Sequence, residues 1–377
     1  MTAVGLIFSN IHDNSVPELT RMRTIGSVPF GGRYRLVDFA LSSMVNSGIT
    51  KIGLVTHNNY QSLLDHIGTG KDWDLARRSG GIKVLPPYIS SFDNAAANKF
   101  YTSRLEALMG TVNFLNRCHE EYIVMSDCDV ICNIDLADVI KNHAESGADI
   151  TFVTKENELT GVGSGEVLTL LKSDESGRVI EVTEDHVTDE NSQVYINIMV
   201  MKRQYLLNVI ETAAARGLHS FLHDIIMHNV DKANYRVYKY DGLYAHIGSL
   251  ESYFACSMKL LESDARERLF GIKYRPVLTK VRNSAPTRYC NGAKVTNSVV
   301  AEGCVIEGTV ENSIIFRGVK VGKGAVVKNS ILFQDTYICA GAELNCVITD
   351  KNVMIKDGRK LSGHESMPFY IGKNMSV

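Results

Sequence analysis

Over residues 1–255, short runs rich in β-branched residues alternate with stretches whose apolar positions recur at helical spacing. That alternation is the pattern of a mainly parallel sheet covered by helices. Runs at 4–8, 52–56, 122–126 and 150–154 read as central strands. Between them, helical spacing holds over 36–47 and stops at Gly48, a residue suited to the left-handed turn that closes helices. A second helix is expected over 105–118, and Asp135 is placed to cap a third that runs to about residue 145. These elements predict a Rossmann-like α/β domain.

From about residue 291 to 355 helical spacing disappears. A motif of Asn, then Ser or Cys, then aliphatic residues recurs at Asn297, Asn312, Asn329 and Asn345, at intervals of 15, 17 and 16. One three-sided coil of a hexapeptide β-helix takes roughly 18 residues, and glycines such as Gly303, Gly318 and Gly324 fall between the repeats where corners are needed. The pattern predicts a left-handed parallel β-helix rather than an antiparallel β domain, since the dipeptides of tight hairpins do not punctuate it. The division expected is 1–261, a linker at 262–289 that holds Pro276 and Pro286, and 290–377.

At 377 residues the chain is longer than a single core usually grows, which agrees with two domains. A net charge of −2 and a pI near 6.6 give no reason to expect nucleic acid or a membrane as partner. No stretch reaches the roughly 18 apolar residues that span a bilayer, and the start lacks a basic leader, so a cytoplasmic protein is expected. The eight cysteines lie singly, several inside apolar runs, as reduced buried thiols do. Cys128 and Cys132 have no second pair at zinc-finger spacing.

The segment Ser27-Val-Pro-Phe-Gly-Gly-Arg-Tyr-Arg-Leu-Val-Asp-Phe39, the strand end Val124-Met-Ser-Asp127, Gly177-Arg-Val-Ile-Glu181 and Gly248-Ser-Leu-Glu-Ser-Tyr253 closely resemble the bacterial ADP-glucose pyrophosphorylases. With the β-helix, the resemblance covers essentially the whole chain and is strongest to the GlgD-type non-catalytic subunits. It implies a nucleotidyltransferase-like domain, and a site that cradles a triphosphate, neutralises it with Mg2+ and holds glucose 1-phosphate in line.

Each of those demands meets a departure here. The family's glycine-rich turn is replaced by Ser9-Asn10-Ile11-His12-Asp13-Asn14-Ser15, with side chains where backbone must approach phosphate, and its lysine aligns with Ile25. His57, Ser126 and Asp127 are the other nucleotide-site positions that the resemblance marks. The family's two magnesium aspartates fall on Cys128 and His246, neither a hard oxygen ligand, although Asp127 and Asp129 keep carboxylates beside the first position. Its Glu-Lys-Pro lysine, which meets the sugar phosphate, is Asp185 in Glu184-Asp185-His186. At about 4 Å that sign change converts roughly 4 kcal/mol of attraction into a similar repulsion for an effective dielectric of about 20. Asn197 would crowd the sugar, and His223 stands at another lysine position.

The resemblance therefore implies a regulatory subunit in a hetero-oligomer, a tetramer by family analogy, with a catalytic ADP-glucose pyrophosphorylase. The Val- and Ile-rich β-helix and the apolar helix at 36–45 are the surfaces expected to dock. No cofactor is expected for this chain itself, and Mg2+ belongs to the catalytic partner. Arg33, Arg35 and Arg317 are the basic residues marked for a phosphorylated effector. The alternatives are an active nucleotidyltransferase with a rearranged site and, more remotely, an acyltransferase. The second usually needs a histidine among the coils, and His364 lies past the last repeat.

Overall fold

A computed structural model describes residues 1–77, 79–86, 101, 103–156, 160, 166–186 and 193–377. Among the described residues, the first domain is built on a sheet of nine strands. Ala3–Phe8 lies near its middle, parallel to Lys51–Val55 on one side and to Tyr122–Asp127 on the other. Gly81–Leu85 extends the first side in parallel. On the second side Gln193–Lys202 runs antiparallel to Tyr122–Asp127, then forks to Ile150–Lys155 and to Val167–Ser173. The four strands expected from the sequence are thus present at the sheet centre, each within a residue of its expected bounds.

Two apolar clusters cover the two faces. Helix Leu36–Asn46 is fully buried from Leu36 to Met44. Asp38 starts it by accepting from Arg35 N at 3.0 Å, and Gly48 ends it at φ +79°. Because all of its faces are covered, this helix offers no docking surface, contrary to the expectation from its composition. Asp135 caps helix Leu136–Ser146 through Ala137 N and Asp138 N, as expected. The helix expected over 105–118 is instead two short ones, Arg104–Met109 and Val112–Asn116. Gly110 interrupts it, and Thr111 Oγ1 bonds back to Leu108 O at 2.7 Å. Residues 263–270 form a further helix that buries Ala265 and Leu269.

The second domain is a three-sided parallel β-helix with five strands on each side, running from Arg288–Tyr289 to Phe369–Ile371. Corners at Asn297, Asn312 and Asn329 sit at φ +40 to +45°, and asparagine tolerates that left-handed conformation better than most residues. At the fourth coil the corner falls on Cys346 (φ +51°), not on Asn345. Asn345 pairs in register with Lys328, so the structural repeat is 15, 17 and 17 residues. The side chains of Asn297 and Asn312, and of Asn329 and Asn345, bond to one another at 2.8 and 2.9 Å.

One side of the β-helix is spent on the first domain. Along it Ile315, Leu332 and Val347 point into the coil, while Ile314, Ile331 and Ile348 join the first domain's core. Phe333 meets Tyr253 edge-on at 6.1 Å and Phe316 at 5.0 Å. Arg23 Nη2 crosses the seam to both oxygens of Asp350, at 2.7 and 2.8 Å.

Candidate functional site

With parallel neighbours on both sides of Ala3–Phe8, the loop that leaves its carboxyl end, residues 9–15, opens where ligands enter folds of this kind. Ser9 is tied to the sheet, its amide and hydroxyl donating to Val55 O at 3.1 and 3.0 Å. Asn10 is buried and accepts from Tyr101 Oη at 3.1 Å, and His57 sets its ring edge on Tyr101 at 4.7 Å. Ile11 and Tyr101 pack against the same apolar cluster. Side chains thus fill the turn in which a phosphate would need bare backbone. Ile25, at the family's lysine position, is a core residue whose amide donates to Asp13 Oδ1 at 2.7 Å.

Beneath the loop lies a buried ionic cluster. His12 Nε2 is 2.7 Å from Asp127 Oδ2 and 3.5 Å from Asp129 Oδ2. Arg104 shares Asp127 Oδ2 and lies over the Phe8 ring. His246 lies between two carboxylates at ion-pair distance, Nε2 at 3.3 Å from Asp129 and Nδ1 at 3.1 Å from Glu166. Burial alone would lower its pKa, but the bonds to Asp129 and Glu166 prevail and push it up to about 10. His12 behaves alike: burial opposes its charge, and Asp129 and Asp127 overcome that and raise its pKa. Asp129 is costly to ionise in this setting, yet His12, His246 and Arg104 hold its pKa well below the usual range. Asn197 takes φ +56° where the register of its strand shifts, and its Nδ2 donates to Asp129 Oδ2 at 2.9 Å. Ser126 is buried beside the cluster, its hydroxyl turned to Asp127 O.

These residues do not fit magnesium. Cys128 is fully buried in the core, its Sγ 3.1 Å from where a Cβ on Gly26 would stand, and burial pushes its thiol pKa far up. His246 sits between two carboxylates, and Asp127 Oδ2 is engaged by Arg104 and His12. Among the described residues, an octahedral oxygen shell of the kind Mg2+ demands has no set of donors here.

On the sugar-phosphate side, His223 Nε2 pairs with Glu184 Oε2 at 3.1 Å, whereas Asp185 is exposed and bonds its neighbour's amide. The sequence marked both anions, but only Glu184 meets His223.

The three marked arginines lie along the seam between the domains in different roles. Arg33 is exposed over the Tyr34 ring. Arg35 is buried, bonded to Ser62 O and Oγ, with its pKa lowered to about 10 by burial. Arg317 is buried against Glu302 at 2.6 Å, with Nη2 unpartnered. Sequence reading missed the residues that join them. Arg282 acts electrostatically on both Arg35 and Arg317. Lys351 has its pKa lowered to about 7 by burial and by Arg35 and Arg23. It also passed over His12, Arg104 and Glu166, which come from separate segments and share no spacing that a motif could reveal.

A sheet of this topology, a loop at its switch point and a coiled tail define a sugar-nucleotidyltransferase architecture. Residues 16–263 match the nucleotidyl transferase family, and residues 284–366 match the GlmU-like C-terminal hexapeptide family. The chain is 32% identical to the glycogen biosynthesis protein GlgD of Bacillus subtilis, over 99% of its own length and 96% of that protein. It is 35% identical to GlgD of Geobacillus stearothermophilus, over 86% and 82% of the two chains. It is also 32% identical to the glucose-1-phosphate adenylyltransferase of that organism, over 86% and 83%. The chain belongs to the bacterial ADP-glucose pyrophosphorylase family. Among the described residues, no helix is long and apolar enough to cross a membrane.

Proposed function

We propose that this chain is the non-catalytic, regulatory subunit of a cytoplasmic glucose-1-phosphate adenylyltransferase that makes ADP-glucose for glycogen. The observation that carries the reading is the state of the two positions where the family holds its metal: Cys128 is buried in the core, and His246 sits at ion-pair distance from Asp129 and Glu166. The plugged turn at Asn10 and Ile11 and the pairing of His223 with Glu184 support it further. Losing one preorganised charge-stabilising group costs an enzyme about 100- to 1000-fold in turnover, and here several are replaced together. What stays intact is the scaffold, which binds a homologous catalytic chain and alters its turnover.

The seam supports a second part of the role. Arg33, Arg35, Arg317, Arg282 and Lys351 give this surface an excess of positive charge, and the unpartnered Nη2 of buried Arg317 is a donor without an acceptor. A phosphorylated effector supplies such acceptors. Co-expression with the catalytic homologue of the same organism, followed by size exclusion and assay, tests the reading. One hetero-oligomer with raised specific activity is expected; separate species with unchanged activity would refute it.

A further inference from the structure

We infer that His12, Asp127 and Asp129 bind a divalent cation of the zinc class without any nucleotide. This goes beyond the regulatory-subunit reading and stands apart from it, since such an ion replaces neither the glycine turn nor a cation for the sugar phosphate.

The three residues come from the rewritten loop, the strand end and the turn after it, and one ligand atom of each lies within 4.8 Å of the others. Two ligands on a tetrahedral ion with bonds of about 2.0–2.1 Å stand about 3.3 Å apart. His12 Nε2 stands 2.7 and 3.5 Å from the Oδ2 atoms of Asp127 and Asp129, which puts both carboxyl groups within reach of one ion bound by the imidazole. Both aspartates are fully buried, yet among the described residues each keeps Oδ1 without a hydrogen-bond partner. Two orphaned carboxylate oxygens beside an imidazole are costly as they stand, and a bound cation satisfies both.

The surroundings have the form of a second coordination layer. Asn197 and His246 hold Asp129 through Oδ2, and Arg104 holds Asp127 through Oδ2, so both carboxylates are oriented with Oδ1 left over. The positive charges of Arg104 and His246 weaken the site without filling it, and the ion takes the place of the proton that His12 shares with the aspartates. His12, whose side chain is 28% exposed, gives the ion a way in from solvent. One imidazole with two carboxylates suits zinc and its neighbours, whereas Mg2+ prefers oxygen and water alone. Cys128 faces the core and takes no part.

The full chain, stripped with chelator, is dialysed at neutral pH against Zn2+ or Mg2+ and its metal content measured. One Zn2+ per chain is expected, with Mg2+ not retained, and binding at least about tenfold weaker in His12→Ala and Asp129→Asn. Co2+ loaded into the parent chain should give weak visible bands without the intense near-ultraviolet band of thiolate ligation, a readout that needs no variant to fold. Absence of stoichiometric Zn2+, binding unchanged in His12→Ala, or a thiolate band would overturn the assignment.

Discussion

Replacing Asp350 by alanine removes the carboxylate that a buried cation, Arg23, bonds at the join between the domains. Arg23 is 3% exposed, its Nη2 reaches both Asp350 oxygens, and its Nη1 has no hydrogen-bond partner among the described residues. Tyr370 Oη also donates to Asp350 Oδ2 at 2.9 Å, so the variant orphans a hydroxyl as well. Breaking a buried pair by deleting one partner costs about 3–5 kcal/mol, because the remaining charge stays desolvated. The apolar cluster around Phe333 is continuous with the first domain's core, so the domains are expected to unfold together. At roughly 2.1 cal/mol/K per residue, 377 residues give an unfolding entropy near 0.8 kcal/mol/K and a Tm drop of about 4–6 °C. Differential scanning calorimetry of Asp350→Ala, Arg23→Leu and the double variant Arg23→Leu/Asp350→Ala measures it. The double variant should recover at least half of the loss, since it leaves no unpaired charge. A shift under about 1 °C in Asp350→Ala, or a double variant as damaged as the sum of the singles, would refute the reasoning.

Other expectations follow from single residues. Phe333→Ala should cost about 3–5 kcal/mol in urea denaturation, because the ring is fully buried between Tyr253 and Phe316. Asn329→Ala should cost more than Asn329→Gly, by about 1–2 kcal/mol, since φ is +44° at this corner and only glycine accepts it freely; equal losses would place the cost in the side-chain bond to Asn345 instead. Burial, with Lys202 nearby, lowers the His143 pKa to about 4, so the fold holds it neutral against Thr151 Oγ1. Its contribution is complete above about pH 6.5 and is lost as pH falls through about 4, and His143→Gln should flatten that part of the Tm profile. Sulfate should raise Tm more below about pH 7 than above it, where Lys351 loses its proton, and Lys351→Ala should abolish the difference.

The sheet centre and the coiled tail were legible because each rests on local periodicity: β-branched runs at 4–8 and 122–126, and asparagine corners at 297, 312 and 329. Helix Leu36–Asn46 was found for the same reason, but its burial on every side was not, since one strip of sequence does not show how many neighbours cover it. The fourth corner was misplaced by one residue because Asn345 has the right chemistry and Cys346 the right register. At the site, the departures at Ile25, Cys128 and His246 could be read position by position against the family. Their consequence could not. That His246 comes to lie beside Asp129, and that His12 reaches across to Asp127, depends on contacts between segments more than 100 residues apart in both cases.

The most direct test of the central claim is pyrophosphate release by this chain alone, supplied with glucose 1-phosphate, ATP and Mg2+, beside its catalytic homologue as the positive control. The account predicts a rate at least about a thousandfold below the homologue, at the level of the blank. Sustained release at a rate comparable to the homologue would contradict it.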